Sequence, residues 1–203
     1  MEKAETAVLR VVKWMKSRKL TLAPEKTEAV LLTNKTKLDP IEFDMQGVKI
    51  KPGNYIKQLG VWIDKKLTFK EHVNKVLEKA EKTMSVLASL MPNIKGPSAS
   101  KRKILVSVVH SQILYDVPVW VRALKIKEYL KKLIRLQKVM GIRVCSGYRT
   151  ISASAVGVIA DIPPIELLAY ERKDVYEWKT KEEAKSEMLA RWQEKWDGAQ
   201  HGR

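Results

Sequence analysis

Cysteine is almost missing from this chain of 203 residues: Cys145 stands alone. A single thiol forbids an internal disulfide and fits a reducing compartment, so an intracellular setting, nuclear or cytoplasmic, is expected. Histidine is nearly as scarce. His72, His110 and His201 lie far apart, no Cys-x-x-Cys pair exists, and no metal site is expected from these residues. No apolar run approaches the roughly 18 residues of a membrane span, and none is expected. Residues 1–18 mix charged and apolar side chains and lack the continuous apolar core of a signal peptide. Two catalytic signatures are missing as well: the Gly-x-x-x-x-Gly-Lys-Ser/Thr phosphate loop and the Gly-x-Ser-x-Gly nucleophile elbow.

Acid is also in short supply. Against 39 lysines and arginines stand 23 aspartates and glutamates, a formal net charge of +16. Such an imbalance calls for a polyanionic partner. Nucleic acid is the default and an anionic membrane surface the competitor. Hydrophobic residues make up 45% of the chain, enough for a folded core in one domain or two small ones.

Residues 3–18 place Ala7, Val8, Val11, Val12, Trp14 and Met15 at helical spacing. Ala23 before Pro24 disfavours helix, so residues 20–24 connect. Residues 27–33 are largely apolar and are expected to form a buried strand. Residues 41–45 and 48–50 flank Gln46-Gly47, a hairpin turn in which glycine supplies positive φ. Residues 55–64 then form a β-branched and aromatic run with Gly60 in its middle. This run is expected to be one central strand, its glycine admitting another backbone or marking a bulge.

The rest of the chain is helical in pattern. Between 69 and 91, Phe69, Val73, Val76, Leu77, Ala80, Met84, Leu87 and Met91 recur at steps of three and four. A second helix runs from a cap at Ser98 or Ser100 to about Tyr115 through Ile104, Leu105, Val108 and Val109, and Asp116-Val117-Pro118 breaks it. A third spans 125 to about 141, with Ile126, Leu130, Leu133, Ile134, Gln137 and Met140 as its apolar stripe and Gly141 as its cap. Seven lysines and arginines lie between 125 and 143 against one acid, Glu128. Lys127, Lys131, Arg135 and Lys138 share one face, which suits phosphate contact. Residues 152–159 read as a short helix. Residues 165–196 are helical but increasingly charged, and their last third reads as a solvated helix or frayed end.

A two-metal phosphoryl-transfer site needs clustered carboxylates. Asp39, Asp44 and Asp64 are scattered singly and read as turn and cap residues. Several segments nevertheless carry a family pattern. Residues 22–28, Leu-Ala-Pro-Glu-Lys-Thr-Glu, precede the expected strand to Thr33. Residues 57–64 read Lys-Gln-Leu-Gly-Val-Trp-Ile-Asp. Leu67-Thr68-Phe69 with His72, Leu90-Met91-Pro92-Asn93 with Gly96-Pro97, Leu114-Tyr115 to Pro118-Val119-Trp120, Tyr148 to Ser152, and Pro163-Pro164-Ile165 with Glu171-Arg172 follow in order. Together they resemble the end of the polymerase palm and the thumb of non-LTR (LINE-type) retrotransposon reverse transcriptases of insect type.

That resemblance implies an α+β fold: a small antiparallel β element ending a palm (1–66), a helical thumb bundle (67–160) and a helical linker or tail (161–203). Lys26 matches the motif D lysine, a supporting role only. Leu59, Gly60 and Val61 match the primer grip, with Gln58 where the family has tyrosine. The implied partner is an RNA/DNA template–primer duplex, held by Lys127, Lys131, Arg135 and Lys138. The Asp-Asp motif and the upstream metal aspartate of the family are not in the chain, nor are its endonuclease domain and Cys/His knuckle. A fragment of an RNA-directed DNA polymerase, inactive alone, is therefore expected. The Mg²⁺ of the intact enzyme has no expected ligands here, and no cofactor is expected. Two other readings stay open: a free-standing or domesticated basic module that binds nucleic acid, and a helical protein whose charge serves solubility or a protein partner.

Overall fold

The computed structural model describes residues 2–35, 41–92 and 95–199. Asp39, Asn93 and His201 lie outside the described residues. The chain is mainly helical with a small antiparallel β element, an α+β composition. It divides into two compact units, Met1–Glu71 and His72–Arg203.

In the first unit, helix α1 (Glu2–Ser17) packs on strand β1 (Phe43–Met45), with Val12 and Met45 buried. Strand β2 (Val48–Ile50) pairs antiparallel with β1 in the expected hairpin. Gln46 and Gly47 take φ of 54° and 85°, and the Gly47 N–H donates to Asp44 Oδ1 at 3.0 Å. Two expectations fail here. Residues 27–33 form no strand: Val30 makes an isolated bridge to Gly53, whose N–H donates to Ala29 O at 2.8 Å, and Thr33 N donates to Lys65 O at 2.9 Å. Apolar, β-prone residues become a strand only where a ladder partner runs alongside.

The run 55–64 is not one strand either. It folds back on itself as β3 (Tyr55–Gln58) and β4 (Val61–Asp64), paired Tyr55↔Asp64, Ile56↔Ile63, Lys57↔Trp62 and Gln58↔Val61. Leu59 and Gly60 form the two-residue loop with φ of 47° and 93°. A tight hairpin of this kind needs positive φ at both loop positions, and Gly60 serves that turn.

Asp64 ends β4 and organises the next bend. Its Oδ2 accepts from Lys66 N (3.3 Å), Thr68 N (3.2 Å) and Thr68 Oγ1 (3.1 Å), and its Oδ1 accepts from Phe69 N (2.6 Å). These bonds hold a bend in which Leu67 and Phe69 both have positive φ. Helix α2 (Lys70–Ser89) follows.

In the second unit, α2 buries Val73, Leu77, Ala80 and Met84 at steps of four, three and four. Helix α3 (Ala99–Ile113) starts after Ser98 and buries Val106, Val109 and Ile113. Ile104, expected in its core stripe, is 68% exposed, and Val108 is exposed too. Apolar residues surround this helix, so its periodicity does not select a face. Asp116, at φ 46°, breaks the run, and helix α4 (Val117–Trp120) buries Trp120. The indole N–H of Trp120 donates to Tyr115 O at 3.0 Å.

Helix α5 (Lys127–Cys145) buries Tyr129, Leu133, Leu136, Met140, Gly141 and Val144. Ile126 precedes it and is exposed, and Leu130 and Ile134 are only half-buried, so the core stripe is displaced from the expected one. Nor does Gly141 cap the helix. The chain leaves α5 at Ser146, in the left-handed region, while Gly141 lets helix α6 (Ala153–Ile159) approach: a Cβ there would lie 3.3 Å from both Val156 methyls. Helix α7 (Ile165–Tyr176) packs on α4 and α5, and helix α8 (Lys181–Asp197) packs back along α7. The last third of the run is a largely exposed helix, as expected, docked along one side. It is started by a capping box of Thr180 and Glu183 and buries Ala184 and Met188.

Candidate nucleic-acid interface

The four cations expected to meet phosphate all fall on α5. At 100° per residue they span an arc of about 80°, and the buried residues 129, 133, 136, 140 and 144 centre on the opposite side. Lys127, Lys131 and Arg135 are exposed, and Lys138 is half-buried. Along the axis they cover roughly 16 Å. Glu128, the one acid on the helix, is held by Lys132 at 3.0 Å. No ion pair involves Lys127, Lys131, Arg135 or Lys138 among the described residues. Their positive charge therefore has no ion-pair partner among the described residues.

Polar bonds fix the helix beneath that face. Gln137 donates through Nε2 to Pro163 O (2.8 Å), lies 3.3 Å from His110 Nε2, and accepts from Ile165 N through Oε1 (2.8 Å). It thereby ties α5 to the first turn of α7. Arg102 of α3, almost fully buried, donates to three carbonyls: Pro97 O through Nε (2.7 Å), Arg143 O through Nη1 (3.0 Å) and Pro92 O through Nη2 (2.6 Å). This guanidinium joins the α2–α3 connection to the last turn of α5. His72 packs 5.2 Å from Trp120, and burial holds it and His110 down to about pKa 4, so both are neutral at physiological pH. Arg172 beside His110 adds to that depression.

Lys138 forms the ridge between two cavities. One, of about 170 Å³, lies among α5, α6, α7 and α8 and is walled by Trp192 and Trp196, with Lys195 paired to Glu166 at its rim. The other, of about 450 Å³, is bounded by Lys138, Val139, Ile142, Arg143, Gly147 and Arg149. No family model, curated protein or solved structure matches the chain.

The remaining expected site residues belong to the first unit. Lys26 ends a 3-10 turn (Pro24–Lys26) and is exposed. Leu59 is 80% exposed at the hairpin tip, Gly60 is its loop partner, and Val61 is buried. Lys57 reaches over Trp62 at 5.7 Å, and the Tyr55 ring meets the same indole edge-on at 5.3 Å. Asp44 and Asp64 spend their carboxylates on turn N–H groups. Among the described residues no three His, Cys, Asp or Glu side chains are grouped to hold a metal ion. No single described helix is long and apolar enough to cross a membrane; Ala99–Ile113 and Val117–Lys125 pass only as a pair bent by 53°.

Sequence reasoning missed Arg102, Arg143, Arg149 and the two indoles. Arg143 sits off the basic arc by helical spacing, and Arg149 lies in a turn. Only the fold brings them to one cavity with Lys138.

Proposed function

We propose that this chain binds nucleic-acid duplex through the basic face of α5, contacting phosphates without reading sequence. The observation that carries the reading is the unneutralised set Lys127, Lys131, Arg135 and Lys138 on a helix whose opposite side is locked in the core. Fixed, unpaired cations facing solvent are what phosphate contact requires, and each displaces a condensed counterion. The order of motifs adds the finer reading: a palm end and thumb of an RNA-directed DNA polymerase, with a template–primer duplex as partner and Leu59, Gly60 and Val61 near the primer. A hairpin with an exposed tip is compatible with touching a strand. The chain contains no Asp-Asp motif, and Asp64 is committed to its bend, so chemistry is not assigned to it.

The test is titration of the protein with random-sequence duplex and primed RNA–DNA at several salt concentrations. Similar affinities for both, falling steeply with salt, are expected. No binding at low salt would leave the charge to solubility or to a protein partner, and the second class of function would then lead.

A further inference from the structure

The cavity at the end of α5 combines features that the basic face alone lacks. It is concave, and three of its six lining residues, Lys138, Arg143 and Arg149, are cationic while none is acidic. Arg143 is half-buried, and neither it nor Arg149 has an ion pair among the described residues. Each adjoining space is lined by one acid: Glu81, in a groove between α2 and α5 that Arg143 also borders, and Glu166, paired with Lys195, in the cavity on the other side of Lys138. Lys138 and Arg143 are half-buried and Arg149 is exposed; cations gathered in one recess whose lining holds no counter-charge favour an anion of more than one charge.

The walls are pre-formed. A Cβ on Gly147 would lie 2.9 Å from Ile151 Cδ1 and 3.0 Å from Cys145 Sγ, so the turn carrying Arg149 is packed tightly against the end of the helix. Ser146, at φ 53°, redirects the chain there. The volume of about 450 Å³ takes a phosphate together with the sugar that bears it.

We infer that this cavity receives the terminal phosphate of a nucleic-acid strand, with Arg143 and Arg149 as its principal ligands and Lys138 linking it to the basic face. A backbone phosphate carries one charge and has chain on both sides. A terminal phosphomonoester carries close to two at neutral pH and enters a recess end-on. Three cations in a recess match the second. The inference rests on the duplex-binding reading and gives that surface an end-recognition element.

The test compares one duplex with a 5′-phosphate, a 3′-phosphate or hydroxyl ends, plus a hydroxyl-ended duplex one base pair longer, whose two added phosphodiesters match the charge of the terminal phosphate. Phosphorylation at one end should tighten binding about fivefold to tenfold over both controls. The preference should vanish in Arg143→Gln/Arg149→Gln, with hydroxyl-ended duplex bound much as before. The double variant should fold, because Arg102 holds the carbonyl of Arg143 and not its side chain. Equal affinity for all ends, or a preference that survives the double substitution, would overturn the inference while leaving duplex binding standing. A second arm is independent of duplex affinity. Thymidine 5′-phosphate, and not thymidine, should shift the arginine Nε resonances lost in the double variant. If wild-type protein bound no duplex, the functional reading would fall and this arm alone would decide, absence of the shift overturning the pocket.

Discussion

Replacing Lys127, Lys131, Arg135 and Lys138 together by glutamine tests the basic face most directly. On B-form DNA each lost phosphate contact lowers the slope of log K against log salt by about 0.9. The three exposed cations amount to a change of about 2.7, and including half-buried Lys138 raises it to about 3.6. Between 50 and 200 mM salt, native protein should therefore lose about 40-fold to 150-fold more affinity than the variant. Fluorescence anisotropy with a labelled 20-base-pair duplex of random sequence measures both slopes. Fold is controlled separately. None of the four side chains is in an ion pair among the described residues, and exposed charges contribute little, so the unfolding midpoint should stay within about 2 °C. A slope change below about 0.9, less than one phosphate contact, would refute the assignment.

Three further outcomes follow from the packing. Arg102→Met should cost about 3 kcal/mol in urea unfolding, since it strips one buried donor group from three carbonyls, and Arg102→Lys should recover less than half because an ammonium cannot span them; a cost below about 1 kcal/mol would contradict the clamp. Leu59→Asn should stabilise the β3–β4 hairpin by about 1 kcal/mol, since asparagine tolerates positive φ, while Gly60→Val should destabilise it more than Lys57→Ala does; equal effects at 57 and 60 in thermal unfolding would sink the turn assignment. His72 and His110 have folded pKa values of about 4, below the unfolded value of 6.5, so the unfolded chain binds protons first. Stability should hold above about pH 6.5 and fall as pH drops toward 4, by on the order of 1–2 kcal/mol per histidine at pH 5, and His110→Gln should flatten that decline in denaturant titrations from pH 7 to 4.5.

Legibility along the chain tracks how local each decision is. The β1–β2 turn was readable because Gln46-Gly47 sits between two short apolar runs and Asp44 caps it within three residues. The break at Asp116-Val117-Pro118 was readable because proline restricts its neighbours whatever the fold. By contrast, Tyr55 to Asp64 has strand composition throughout, and its division depends on Leu59 accepting a positive φ that its side chain disfavours. No count of β-branched residues shows that. Likewise Val30 and its neighbours have the apolar character of a strand, but they meet only an isolated bridge at Gly53, before β3 begins, and no ladder.

The helices divide in the same way. On α5 the polar face is written in three consecutive spacings of four, four and three, so it is legible even though the apolar stripe is displaced. Leu130 and Ile134 lie at the edge of the core, while Tyr129 and Leu136, less conspicuous by type, fill it. On α3 the reverse holds: the residue that decides its orientation is a cation, Arg102, drawn inward by three carbonyls that converge only once the 92–97 connection and the end of α5 are in place. A composition-based reading sends every arginine to the surface. The same bias hides the terminal-phosphate pocket, because Arg143 belongs to no face with Lys138 in a helical projection and meets Arg149 through the turn at Ser146 and Gly147. Charge that follows a period can be found in one dimension. Charge gathered by a turn at a helix end is found only in three, where Lys138, Arg143 and Arg149 line one recess.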